Sequence, residues 1–99
     1  MEHRLDHRRP VSINGRLHIN GRTLPCRIVE LSTGGLRVDA VAVKRLGLFD
    51  VVEVEFPASR PEEQRHHLRG MVVHHQGEQI GVMFIRISNT ALNDLTLAA

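Results

Sequence analysis

The sequence predicts an all-β fold, a six-stranded antiparallel barrel followed by a short C-terminal helix. Three observations carry this. Apolar and polar residues alternate in several short runs, the period of a half-buried strand. Asn20-Gly21 and Gly77-Glu78 separate such runs at hairpin spacing. With 99 residues the chain has room for one core, since cores split only beyond ~250 residues.

The elements follow in order. Val11 to Ile19 places Val11, Ile13, Leu17 and Ile19 on one face and reads as the first strand. Asn20-Gly21 is the hairpin turn; Asn14-Gly15 is the weaker signal, because a turn there leaves too short a strand. Thr23 to Leu31 resumes the alternation through Leu24, Cys26 and Ile28. Pro25 has no N–H to give a ladder, so this strand has an edge or a bulge there. Ser32-Thr33-Gly34-Gly35 breaks the pattern, and Leu36 to Val41 is the third strand. Val43 to Phe49 reads as an irregular connection with room for one helical turn. Val51 to Phe56 sets Val52, Val54 and Phe56 on one face and glutamates on the other. Pro57 to Glu63 is a polar loop. Arg65 to Gln76 and Gln79 to Ile87 are the last two strands. Ser88 or Asn89 can cap a terminal helix with Ala91, Leu92 and Leu95 on one face. The chain thus divides into a flexible N-terminal arm over 1–10 and a barrel with its helix over 11–99.

Composition narrows the function classes. Apolar residues make up 41% and charged residues 24%, an ordinary globular balance. No apolar run approaches the ~18 residues of a membrane span, so no direct membrane insertion is expected. The first ten residues, MEHRLDHRRP, contain no apolar secretory core, which points to a cytoplasmic domain. Cys26 is the single cysteine, so neither an intrachain disulfide nor a Cys-rich zinc site is available. A multi-domain enzyme and a disulfide-stapled module are both excluded.

Net charge is +2, and twelve of the 13 basic residues are arginine. The basic character sits at the N-terminal end: six arginines up to Arg27 face only Glu2 and Asp6. Arginine suits forked recognition of phosphate and stacking on bases. There is no Trp or Tyr and there are three Phe, so a broad aromatic platform for single-stranded nucleic acid cannot be built. If a base is bound, arginine must stack on it.

Two segments carry candidate chemistry. Arg4-Leu5-Asp6-His7-Arg8 places two arginines four apart just before the first strand. Tethered at one end, this segment can swing over the barrel, and its guanidinium forks can grip phosphates or the O6/N7 edge of guanine. Glu30-Leu31-Ser32-Thr33-Gly34-Gly35 ends the second strand. The Ser-Thr-Gly-Gly turn offers a hydroxyl and backbone N–H groups for an anion, with one glycine expected at φ > 0. A carboxylate two residues before the serine can accept from guanine N1–H and N2–H.

At these residues the sequence resembles the PilZ domain, a bacterial receptor family for the second messenger cyclic di-GMP. The family pattern is RxxxR followed by [D/N]xSxxG. Arg4 and Arg8 match the first motif, continued by Arg9-Pro10-Val11, and Ser32 and Gly35 match the second. Leu36-Arg37-Val38 and Gly81-Val82-Met83-Phe84 look like the family's third and closing strands. Glu30 stands where the family has Asp or Asn, which keeps the charge and adds a methylene. The resemblance implies a PilZ-type barrel and a non-enzymatic cyclic di-GMP receptor. Arg4, Arg8 and Arg9 would hold guanine edges and phosphates, Ser32 with the Gly34-Gly35 backbone would hold phosphate, and Glu30 would hold the other guanine edge. The ligand is cyclic di-GMP, and no cofactor is expected. An effector protein of motility, pilus or exopolysaccharide machinery would be the partner, addressed when the arm closes.

Plainer readings stand beside these. The arm can be a solvated terminus, Ser32 to Gly35 an ordinary turn, and Glu30 an exposed strand-end charge. Accordingly, a PilZ-fold adaptor that binds no nucleotide is the alternative function. A nucleic-acid-binding barrel is disfavoured by the modest net charge and the missing aromatics. No metal site is expected. Neighbours in His66-His67 and in His74-His75 point to opposite faces of a strand, and the two pairs lie ~27 Å apart at ~3.3 Å per residue. Cys26 reads as a buried small hydrophobe, and no catalytic dyad, P-loop or dinucleotide fingerprint is present.

Overall fold

The computed structural model describes residues 8–40, 46–57 and 65–86. Six strands form in chain order: β1 (Arg9–Ile19), β2 (Arg22–Leu31), β3 (Gly35–Asp39), β4 (Val51–Phe56), β5 (His66–Gln76) and β6 (Gln79–Arg86). All pairings are antiparallel, and the sheet closes on itself in the order β1-β2-β3-β6-β5-β4. Closure removes the unpaired edges that an open sheet would expose. Among the described residues no helix is long and apolar enough to cross a membrane. The C-terminal helix expected from Ser88 onward lies outside the described residues, as does most of the N-terminal arm.

The alternation read from the sequence fills the barrel. Leu17, Ile28, Val38, Val52, Val54, Phe56, Leu68, Val72 and Ile80 are fully buried inside it. Each such side chain contributes roughly 1.5–3 kcal/mol relative to remaining in water. Cys26 belongs to the same core, and burial pushes its thiol up to about 11, which disfavours the thiolate.

The β1–β2 turn is built as its sequence demands: Asn20 has φ 49° and Gly21 φ 78°, the left-handed pair that suits a two-residue hairpin. Asn14-Gly15 makes no turn; the two residues pair with Arg27 and Cys26 within the ladder. Pro25 sits opposite Arg16 on the part of β2 that runs past the end of β3, where no neighbouring strand needs its missing N–H. Observed strand limits differ from the sequence reading by a few residues. Arg9 and Pro10 already pair with Leu31 and Glu30, so β1 begins inside the segment assigned to the arm. Residues 46–50 form a turn without a helix.

Two irregularities re-aim side chains. The β2–β3 register shifts between Ile28 and Glu30, leaving Val29 as the extra residue. Ile28 and Leu31 therefore both face the core, while Glu30 turns outward opposite Arg37. Strict alternation from Leu24 would have sent Glu30 inward. A second shift on β5, between Val72 and His74, turns Val73 and His74 outward beside β6.

Candidate functional site

The β2–β3 connection is a tight loop tied together by its own atoms. The Ser32 amide donates to Gly35 O at 2.9 Å, and the Gly35 amide donates to Ser32 Oγ at 3.1 Å. Ser32 Oγ in turn donates to Gly35 O at 3.2 Å. The Phe84 amide donates to Gly34 O at 2.9 Å and so fastens the loop to β6. Neither Gly34 nor Gly35 has positive φ, contrary to the sequence expectation. Gly35 is required for a different reason: a Cβ there would collide with the Val82 carbonyl oxygen, a backbone atom that cannot step aside cheaply. Its neighbour Gly34 has open space around it.

Around this loop lies a cleft of about 550 Å³. Arg8, Glu30, Ser32, Gly34, Gly35 and Arg37 line one side. Val73, His74, Gly81 and Met83, from β5 and β6, line the other. Residues distant in sequence are thus gathered at one opening, because β3 pairs with β2 on one flank and β6 on the other. The volume lies within the ~300–1,000 Å³ range of small-molecule sites.

The Glu30–Arg37 pair in the cleft is loosely held. Glu30 Oε1 lies 3.5 Å from Arg37 Nε, and the two side chains are each about one-third exposed. Arg37 Nε is itself buried and finds no hydrogen-bond partner among the described residues. A buried donor in that state is costly, so a better acceptor placed there would be favoured. Of the residues expected from the sequence, the structure brings Arg8, Glu30, Ser32, Gly34 and Gly35 together on this cleft. Arg9 is exposed at the start of β1, opposite Leu31. Arg4 lies outside the described residues. Arg37 and His74 are cleft residues to which the sequence reading gave no ligand-binding role. For Arg37 no sequence signal was available, because the pairing that sets it opposite Glu30 follows from the register shift in β2.

A second polar cluster occupies the outer face of β1, β4 and β5. Arg16, Glu55 and His67 align in one cross-strand row, and His18, Glu53 and Arg69 in the next. Glu55 points away from the core yet is only 5% exposed. Its cover consists of polar partners. His18 Nε2 donates to Oε1 at 2.8 Å, Arg65 Nε pairs with Oε2, and Arg16 Nη1 lies 3.7 Å from Oε2. The His18 hydrogen bond, aided by Arg65, Arg16 and His67, outweighs desolvation and holds the Glu55 carboxyl below its usual range. Nothing in the sequence reading anticipated this cluster, because its members come from three strands.

No curated protein matches the chain. A family model described as the PilZ domain matches residues 2–98, nearly the whole length, in agreement with the closed antiparallel barrel; the chain belongs to the PilZ domain family.

Proposed function

We propose that this protein is a non-enzymatic receptor that binds cyclic di-GMP in the β2–β3 cleft and passes the signal to a partner protein. The observation that carries the reading is the convergence of Arg8, Glu30, the Ser32–Gly35 loop and Arg37 on one opening. PilZ membership supplies the ligand class. Arg8, with Arg4 and Arg9 from the same basic segment, offers forked donors to phosphate and guanine edges. Glu30 accepts from guanine N1–H and N2–H. To do so it exchanges its Arg37 contact, which at 3.5 Å is weak and partly solvated. Arg37 is then released toward a phosphate, which also satisfies its buried Nε. Ser32 keeps the loop closed, and the loop backbone at Gly34-Gly35 lies against the phosphate. Val73 and Met83 supply apolar surface beneath the base. Closure of the arm over the bound nucleotide then presents a new surface to the partner.

The Glu30–Arg37 contact also favours a second reading, a nucleotide-free adaptor in which the carboxylate is already neutralised. Calorimetric titration with cyclic di-GMP separates the two, with GMP and a short oligonucleotide as controls. Wild type is expected to bind cyclic di-GMP selectively. Arg8→Ala should lose at least ~30-fold, the effect of truncating one partner of a buried charged contact. Glu30→Ala should lose about tenfold, or ~1.4 kcal/mol, and Glu30→Asp should bind at least as well as wild type. If wild type does not bind, the receptor reading fails and the adaptor reading stands; binding by Glu30→Asp alone would make the natural protein a silenced receptor.

A further inference from the structure

The outer face of β1, β4 and β5 gathers His18, Glu55 and His67 so that one ligating atom from each lies within 4.8 Å of the others. The two imidazoles stack at 5.9 Å between centroids with 25° between planes. We propose that this cluster is a site for a borderline transition-metal dication such as Zn2+, separate from the nucleotide cleft. The sequence argument against metal weighed histidines adjacent on one strand. Here the ligands meet across strands, with β4 carrying Glu55 between the two histidines.

Two imidazoles and one carboxylate are the donor set of an open three-ligand zinc site, with a fourth position left for water. Oxygen-seeking Ca2+ and Mg2+ would not choose it. Supporting contacts around the ligands are also present. His67 Nδ1 lies 3.3 Å from Glu53 Oε1. A carboxylate accepts from Nδ1–H, which leaves the lone pair on Nε2 for a metal, the outer hydrogen bond commonly found behind ligating histidines. His18 Nδ1 lies 3.0 Å from Thr23 Oγ1. Without metal, His18 Nε2–H donates to Glu55 Oε1 and Nδ1 accepts from the Thr23 hydroxyl. With metal, Nε2 presents its lone pair, the proton sits on Nδ1, and the Thr23 hydroxyl rotates to accept it. For a neutral His18 this is a tautomer change with no net proton released.

Two features set the strength of the site. Tetrahedral ligands at ~2.1 Å from a metal stand ~3.4 Å from each other. His18 Nε2 and Glu55 Oε1, now 2.8 Å apart, must therefore part slightly, while separations of up to 4.8 Å in the cluster must close. His67, whose side chain is half exposed, has room to move inward. Arg65 and Arg16 approach Glu55 through Oε2, leaving Oε1 to the metal, but their charge opposes a cation. Neutralising Arg16 should therefore tighten binding.

The test uses the untagged chain, Zn2+ calorimetry, and Co2+ as a spectroscopic probe. One Zn2+ per chain is expected, with the visible bands of four-coordinate Co2+. A variant with His3, His7, His66, His74 and His75 all changed to Gln should bind as wild type does. His18→Gln and His67→Gln should each weaken binding at least ~tenfold, Glu53→Gln should weaken it about tenfold, and Arg16→Gln should strengthen it. His67→Gln keeps the test decisive should changes at the buried Glu55 prevent folding. Absence of binding, loss of binding in the five-histidine variant, or indifference to His67→Gln would each overturn the site.

Discussion

Two glutamates on the outer surface of the same barrel have opposite fates. Glu55 and Glu30 each face an arginine directly across a strand pair, Arg16 and Arg37 respectively. Glu55 lies between Arg16 and His67 in the cross-strand row and collects Arg16, Arg65 and His18, so it is covered and its carboxyl is held ionised. Glu30 sits beside a bulge at the end of β2, with Arg37 3.5 Å away and a cleft in front of it. The difference teaches where the molecule has spare bonding capacity. A carboxylate with its lone pairs occupied helps hold the barrel, whereas one with loose contacts is available to a ligand.

Stability measurements can break this contrast. By urea unfolding, Glu55→Ala should cost about 2 kcal/mol, the scale of lost charged hydrogen bonds, tempered because Arg16 and Arg65 can rehydrate. Glu30→Ala should change stability by no more than about 0.5 kcal/mol, as for exposed ion pairs. Equal costs would erase the distinction. A smaller effect sharpens it through pH. The Glu55 carboxyl is lowered from 4.5 in the folded protein, so the unfolded chain takes up its proton first as pH falls. The stability advantage of wild type over Glu55→Gln should be complete above pH 4.5 and shrink as pH drops through the lower folded value. A constant advantage down to acid pH would assign the effect to packing.

The contrast also shows how much the sequence makes legible. Six strands, the Asn20-Gly21 turn and the aliphatic interior follow from period-two alternation and turn chemistry, which are local. Two motifs pointed to the cleft, and the structure places Arg8, Glu30, Ser32, Gly34 and Gly35 there. Register was not legible. Val29 is one unpaired residue, and it decides that Glu30 faces outward beside Arg37. Nor does a sequence display that Gly35 approaches the backbone of Val82, or that His18 and His67 flank Glu55. Each of these depends on which strands lie side by side, a property of the closed sheet.

The most direct test of the central claim is an amide-resolved NMR titration of the whole chain with cyclic di-GMP. The account predicts saturable shifts concentrated at Glu30 to Arg37, at His74 and at Gly81 to Met83, the lining of the cleft. His18, Glu53, Glu55 and His67 should stay unshifted. Saturable shifts centred on β1, β4 and β5 with a silent β2–β3 loop would contradict it, as would a spectrum that does not change at all.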